Sequence, residues 1–166
     1  MDLTIVQTPI KSIYLPKVGL KTHSKDHIEQ IANSIEKFGF NDPVALDQNN
    51  EVIEGAGRVL AAKKLKYKTI PTIILGHLSE LQRIAYRIAH NKICLNTGFN
   101  LDALKVEMEQ ISRIDESLLT FTGFGEAELT DLFVVPPLPV LNGELIDFLP
   151  TPKEIHCPHC GEIIYA

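Results

Sequence analysis

Residues able to do chemistry concentrate at Gly55-Ala-Gly-Arg58, where the apolar run Val52-Ile-Glu54 gives way to helix-forming residues. Glycine lets a backbone approach a ligand closely, and the first turn of a helix leaves amide N–H groups without partners. Those amides, the positive end of the helix dipole and the Arg58 guanidinium make an anion site suited to phosphate. A tight strand-to-helix turn also uses Gly-x-Gly, so the following helix and Arg58 carry the phosphate reading. Lys63 and Lys64 trail the same helix, either as nucleic-acid contacts or as a solvated helix end favoured by the dipole. Glu54 and Glu36 are the nearest carboxylates and the candidate catalytic bases or metal-positioning groups. Glu54 reads more readily as an ordinary exposed strand-end residue.

A second constellation is Cys157-Pro-His-Cys160-Gly161. Two thiolates on a tight turn can share one Zn²⁺, but a closed zinc site needs four ligands. His156 and His159 lie too close along the chain to complete it, whereas a second copy of the tail in a homodimer supplies the missing pair. A redox Cys-x-x-Cys is the rival, although it normally opens a helix and Glu162-Ile-Ile-Tyr165 reads as a strand. Cys94 reads as a small buried hydrophobe, and His23 and His27 as surface residues.

The elements that must position these groups follow from periodicity. Residues 3–14 read as extended, broken by Pro9. Ser24 caps an amphipathic helix over 26–38, closed by Gly39. Residues 43–54 form a hairpin around Asp47-Gln-Asn-Asn-Glu51, and a helix follows over about 57–65. Thr69 to Leu75 is a strand whose Pro71 predicts an edge or strand-start position. Ser79 caps a helix from Glu80 to Lys92 with Leu81, Ile84, Ala85 and Ile88 facing inward. Helical patterns recur at 101–111, at 118–119 and at 126–133, and Val134 to Val140 is a stiff extended linker.

Hydrophobic and charged contents of 45% and 22% suit a globular domain with a core plus an appendage. No segment reads as a membrane span or signal peptide, so a cytoplasmic protein without membrane partners is expected. The net charge of −5 is uneven: residues 1–99 hold 13 Lys and Arg against 9 Asp and Glu, and residues 100–166 hold 3 against 12. A basic front half is compatible with nucleic acid or nucleotide, and equally with unequal solvated surfaces.

The ordered motifs Ser34-Ile-Glu-Lys-Phe-Gly-Phe-Asn-Asp-Pro-Val44, Val52-Ile-Glu-Gly-Ala-Gly-Arg-Val-Leu-Ala-Ala62, Leu65-Lys-Tyr-Lys-Thr-Ile-Pro71 and Tyr86-Arg-Ile-Ala-His-Asn91 resemble the N-terminal domain of the ParB and sulfiredoxin superfamily. Leu78 to Lys92, with Thr122-Gly-Phe-Gly-Glu-Ala-Glu-Leu129, resembles its phage and prophage branch, where the domain often precedes a DNA methyltransferase. The resemblance spans residues 8–133. It implies a compact α/β (α+β) fold, a mixed sheet with packed helices, over residues 1–95. A helical extension (96–133), a Pro-rich linker (134–150) and the Cys157–Cys160 tail (151–166) would follow. It also implies a nucleoside triphosphate, CTP or ATP, or another phosphorylated ligand. Carried over by position, the ligand-binding residues would be Gly39, Asn41, Pro43, Gly55, Ala56, Gly57, Arg58 and Asn91.

Departures narrow those expectations. Ala56 stands where sulfiredoxins keep their catalytic cysteine, so sulfinic acid reduction lacks its nucleophile. His90 replaces the Glu of a Glu-Asn pair, and neutral imidazole is a poor Mg²⁺ ligand, which leaves Mg²⁺ in doubt. Residues 134–166 are too few for a methyltransferase domain. The acidic helices of 101–133 argue against insertion in a DNA groove. The expected function is a ParB-like nucleotide- or phosphate-binding domain assisting DNA modification, partition or phage DNA processing, with DNA or a DNA-processing protein as partner. The alternatives are an enzyme on the same scaffold (NTPase, small-molecule kinase or nuclease) and a non-catalytic adaptor.

Overall fold

The computed structural model describes residues 3–17 and 19–133, together with four short strands further on. The first ninety residues build a four-stranded mixed sheet in the order β1-β4-β2-β3. Its strands are β1 (Val6–Pro9), β2 (Val44–Leu46), β3 (Val52–Glu54) and β4 (Thr69–Ile74). Strand β4 runs antiparallel to β1 and parallel to β2, and β2 pairs antiparallel with β3. Against the sheet lie α2 (Ala56–Lys64) and α3 (Glu80–Ile93), and α1 (Lys25–Phe38) packs on α2.

Strand β4 is internal, so the expected edge position for Pro71 is wrong. The Ile10 amide donates to the Lys68 carbonyl at 3.0 Å, and β1–β4 alternation from there leaves Gln7↔Pro71 a pair without hydrogen bonds. Pairing with β2 begins one residue later, at Val44↔Thr72. Proline's missing donor therefore interrupts no ladder bond.

The core is short-chain and branched: Ile10, Ile13, Val44, Leu46, Val52, Val59, Ala62 and Ile70 form one buried cluster. Each fully buried Leu or Val contributes about 1.5–3 kcal/mol by leaving water. A second cluster (Ala32, Ile35, Ala61) joins α1 to α2 through small residues that let the helices approach. The buried hydroxyls of Thr8 and Thr72 bond each other at 2.6 Å, so neither is left unsatisfied.

Caps behave as the residue types require. Ser24 Oγ accepts from the His27 amide, and Gly39 ends α1 at φ 91°. Ser79 and Gln82 form a reciprocal capping box on α3. The interior of α3 differs from the expectation: Leu81 (79% exposed), Ile84, Ala85 and Ile88 (51%) face solvent. Arg83, Arg87, His90 and Asn91 turn toward the sheet instead. The cause is Asp47, a buried carboxylate that accepts from the Asn49 and Glu51 amides at 2.8 Å and pairs with Arg83. That ion pair fixes the rotation of α3 against the β2–β3 turn.

Beyond Gly98, α4 (Leu101–Asp115), a 3-10 turn (Glu116–Phe121) and α5 (Glu126–Phe133) form the extension. Phe121 meets Phe38 edge-on with centroids 6.2 Å apart, and Lys37 lies over the Phe121 ring. The extension is thereby pinned to the C-terminal end of α1. Strands β5 (Val140–Leu141) with β6 (Glu144–Leu145), and β7 (Glu154–His156) with β8 (Ile163–Tyr165), make two small hairpins. Cys157 and Cys160 lie outside the described residues, as does most of the expected linker.

Candidate functional site

Strand β3 ends at Glu54 and the chain turns sharply into α2. Gly55 is the N-cap, in the left-handed region at φ 96°, ψ 22°. A side chain there would meet Val44 Cγ2 at 3.1 Å and Arg58 Nε at 3.2 Å. Gly57 is needed for proximity: a Cβ on it would sit 2.9 Å from Ile31 Cδ1 and 3.1 Å from His23 Cε1. Both glycines therefore serve the turn's geometry, and that same geometry opens the first turn of α2 onto a cavity of about 210 Å³.

The cavity gathers groups from four elements. Gly55, Ala56, Gly57 and Arg58 come from the α2 turn, Lys21 and His23 from the loop before α1, His27 from the first turn of α1, and Arg87 and Asn91 from α3. Arg87 Nε is buried without a hydrogen-bond partner. Neither Lys21 nor Arg87 forms an ion pair among the described residues. Asn91 Nδ2 donates to the Arg87 carbonyl at 2.7 Å, which orients its amide along α3. Sequence reasoning missed Lys21, His23, His27 and Arg87. For Arg87 a signal existed: positions 83, 87 and 91 recur every four residues and share one helix face.

Arg58 is already engaged. Its guanidinium pairs with Glu54 and Asp42, and Nη1 donates to the Asp42 carbonyl at 2.8 Å. Its side chain is only 15% exposed, so two carboxylates largely offset its charge where it stands. Arg58 ties the start of β2 to the end of β3 and to α2, while bordering the cavity. Glu54 is partly buried, not the ordinary exposed strand end.

The remaining sequence-derived candidates divide. Gly39 and Asn41 line a neighbouring cleft of about 530 Å³ with Phe121 and Gly123, and His27, Ile31 and Arg58 border both spaces. Asn41 Nδ2 caps α1 by donating to the Phe38 carbonyl at 2.7 Å. The Pro43 carbonyl accepts from Arg58 at 3.5 Å. Glu36 is exposed on α1 and borders neither space. Lys63 and Lys64 close the other end of α2, roughly 12 Å from its first residue. Lys64 pairs with Glu29 of α1. Cys94 is exposed rather than buried.

His23 is partly buried, a correction to its expected surface position, and its imidazole faces His27. Burial, then the neighbouring His27 and Lys21, hold its pKa below the ordinary imidazole value. His27 itself is exposed. Among the described residues, no group of three or more His, Cys, Asp or Glu is placed to hold a metal ion. Among the described residues, Glu54 alone offers the cavity a carboxylate, and Arg58 occupies it, a donor set unsuited to Mg²⁺ on its own. No helix among the described residues is long and apolar enough to cross a membrane.

Comparison with known proteins places this arrangement. The chain is 37% identical over 81 residues to the ParB-like nuclease domain-containing protein YnaK of Escherichia coli, covering 49% of this chain and 93% of that one. It is 42% identical over 65 residues to an uncharacterized protein of Acidianus two-tailed virus, 39% of this chain but only 20% of that protein's length. Among solved structures it superimposes on the C-terminally truncated chromosome-partitioning protein ParB from Caulobacter crescentus complexed with CTP-gamma-S. The TM-score is 0.65 at 17% identity, over 78% of this chain and 76% of that one, a likeness of fold. The model of the ParB N-terminal domain matches residues 3–92, the span that builds the sheet and the cavity, and the chain belongs to that family.

Proposed function

We propose that this chain is a nucleotide-binding ParB-like module serving a DNA transaction, with the triphosphate held at the N-terminus of α2. One observation carries the reading. The opening turn of α2, Lys21 and Arg87 converge on a single cavity, and Arg87, which also borders the adjoining one, has a buried Nε with no hydrogen-bond partner among the described residues. A buried unpaired donor costs about 1–3 kcal/mol, which an anionic oxygen would offset. The fold shared with a partition protein crystallised with CTP-gamma-S supports a nucleoside triphosphate over free phosphate.

A cavity of about 210 Å³ accommodates phosphates but not a whole nucleotide. An adjoining cavity of about 370 Å³ shares Pro16, Val52, Ile53 and Arg87 with it, and offers room for the nucleoside. A hydrolytic role for Glu54 requires that it first leave Arg58, and Glu36 is remote, so binding is the reading that the geometry favours over catalysis.

Calorimetric titration with CTP, ATP, GTP and UTP, with and without duplex DNA, tests this. One triphosphate should bind in the micromolar range. Arg87→Ala and Lys21→Ala should each weaken it about tenfold or more, as charge-assisted bonds do. Absence of binding by all four at millimolar concentration would overturn the proposal.

A further inference from the structure

Arg58 spends its charge on Glu54 and Asp42, so a polyanion in the cavity needs cations from elsewhere. The wall opposite α3 supplies a candidate that is neutral until called upon. His23 Nδ1 and His27 Nδ1 lie 3.1 Å apart, their rings inclined by 23° with centroids 5.1 Å apart. The His23 ring rests on Gly57 in the first turn of α2: a Cβ there would lie 3.1 Å from its Cε1 and 3.3 Å from its Nδ1. Glycine at this position is therefore what admits the imidazole to the anion-facing turn.

We propose that His23 and His27 are ligand-contacting residues that work as one proton-accepting unit, taking up a single proton when a polyphosphate enters and releasing it when the ligand leaves. This rests on the phosphate reading of the cavity given above. The chemistry follows from the facing nitrogens. At 3.1 Å one Nδ1 must donate and the other accept, so the neutral pair shares one N–H. An added proton goes to the outer Nε2 of the donor ring, producing an imidazolium that keeps the N–H···N bond. A second would set two N–H groups against each other, so uptake stops at one.

The charges around His23 explain why the proton is absent without ligand. The two cavities that it lines also hold Lys21 from the loop, Lys25, Asp26 and Glu29 from α1, Glu54 from β3, Arg58 and Lys64 from α2, and Arg87 from α3. Glu29 is paired with Lys64, and Glu54 with Arg58. Asp42 lines the neighbouring cleft with His27 and shares the Arg58 guanidinium with Glu54, leaving one carboxylate in excess there. Lys21, Lys25 and Arg87 then outnumber Asp26 and Asp42, and the α2 dipole adds positive potential. Burial and this cationic company hold His23 neutral. A polyphosphate reverses the sign of the local field and makes the imidazolium favourable.

Binding is then proton-linked: each proton taken up changes affinity by at most about tenfold per pH unit. The test measures CTP and inorganic triphosphate binding to the full chain from pH 5.5 to 8.5, for wild type, His23→Gln and His27→Gln. The probe's own titration is common to all three proteins, so the difference between them reports the pair. Wild-type affinity should rise on acidification relative to either variant, by about threefold to tenfold per pH unit near pH 6.5. The ring resonances of His23 should titrate at higher pH in the saturated protein than in the free one, a readout that survives even if a variant misfolds. Parallel pH profiles, or ring titrations unmoved by saturating ligand, would overturn the inference while leaving the phosphate site intact. Failure of wild type to bind either probe at any pH would sink the phosphate reading, and the proton linkage with it.

Discussion

Arg58 and Gly57 show how one residue type can answer to two demands. Arg58→Ala should lower stability by about 1–3 kcal/mol in urea denaturation, because it leaves the partly buried Glu54 carboxylate without its partner. Loss of binding in that variant alone thus says little about ligand contact, and Arg87→Ala is the more diagnostic change. Gly57→Ala should cost about 1–3 kcal/mol through overpacking against Ile31 and His23, whereas Gly55→Ala should cost about 1–2 kcal/mol through left-handed backbone strain. The pH dependence of the unliganded protein follows from His23. Its folded pKa lies below the unfolded value, so the unfolded chain binds more protons as acid is added. Stability from this group is complete above about pH 6.5 and is lost as the pH falls through that value toward the folded pKa. His23→Gln should flatten this part of the melting-temperature profile.

At the scale of elements, α3 is the informative case. Its apolar spacing at Leu81, Ile84 and Ile88 has the periodicity of a buried face, yet the helix is rotated so that its cationic face meets the sheet. Ile88→Ser should therefore change stability by less than about 0.5 kcal/mol. Arg83→Ala should cost about 1–3 kcal/mol by stranding the Asp47 carboxylate, and the two melts measured together test the rotation. The extension hangs on fewer contacts. Phe121→Ala removes its edge contact with Phe38, and hydrogen exchange should quicken over residues 101–133 while the sheet stays protected.

Charge is the property of the whole molecule that bears on its partners. Residues 100–133 carry 8 Asp and Glu against 2 Lys and Arg, so a duplex approaching the extension meets repulsion. Lys63 and Lys64 close α2 and are the cationic candidates for a DNA contact, although Lys64 is held by Glu29. If Lys63 contacts DNA phosphate, Lys63→Gln should lower the log–log salt slope of binding by about 0.9. An unchanged slope would remove Lys63 from any DNA interface.

Sequence by itself determined the order of the main strands and helices through α5, the caps at Ser24 and Ser79, the hairpin and the Gly-Ala-Gly-Arg turn, because these depend on neighbours within a few residues. The family followed from the same ordered motifs. Tertiary structure decided everything that depends on rotation or distance: the internal place of Pro71, the outward apolar stripe of α3, the exposure of Cys94, and the engagement of Arg58 by Asp42. It also brought Arg87 to the cavity that Lys21 and His23, distant from it in the chain, line from the other side. Periodicity marks which face of a helix is apolar, but a buried ion pair such as Asp47–Arg83 can outweigh it, since a carboxylate enclosed by protein must find a cation.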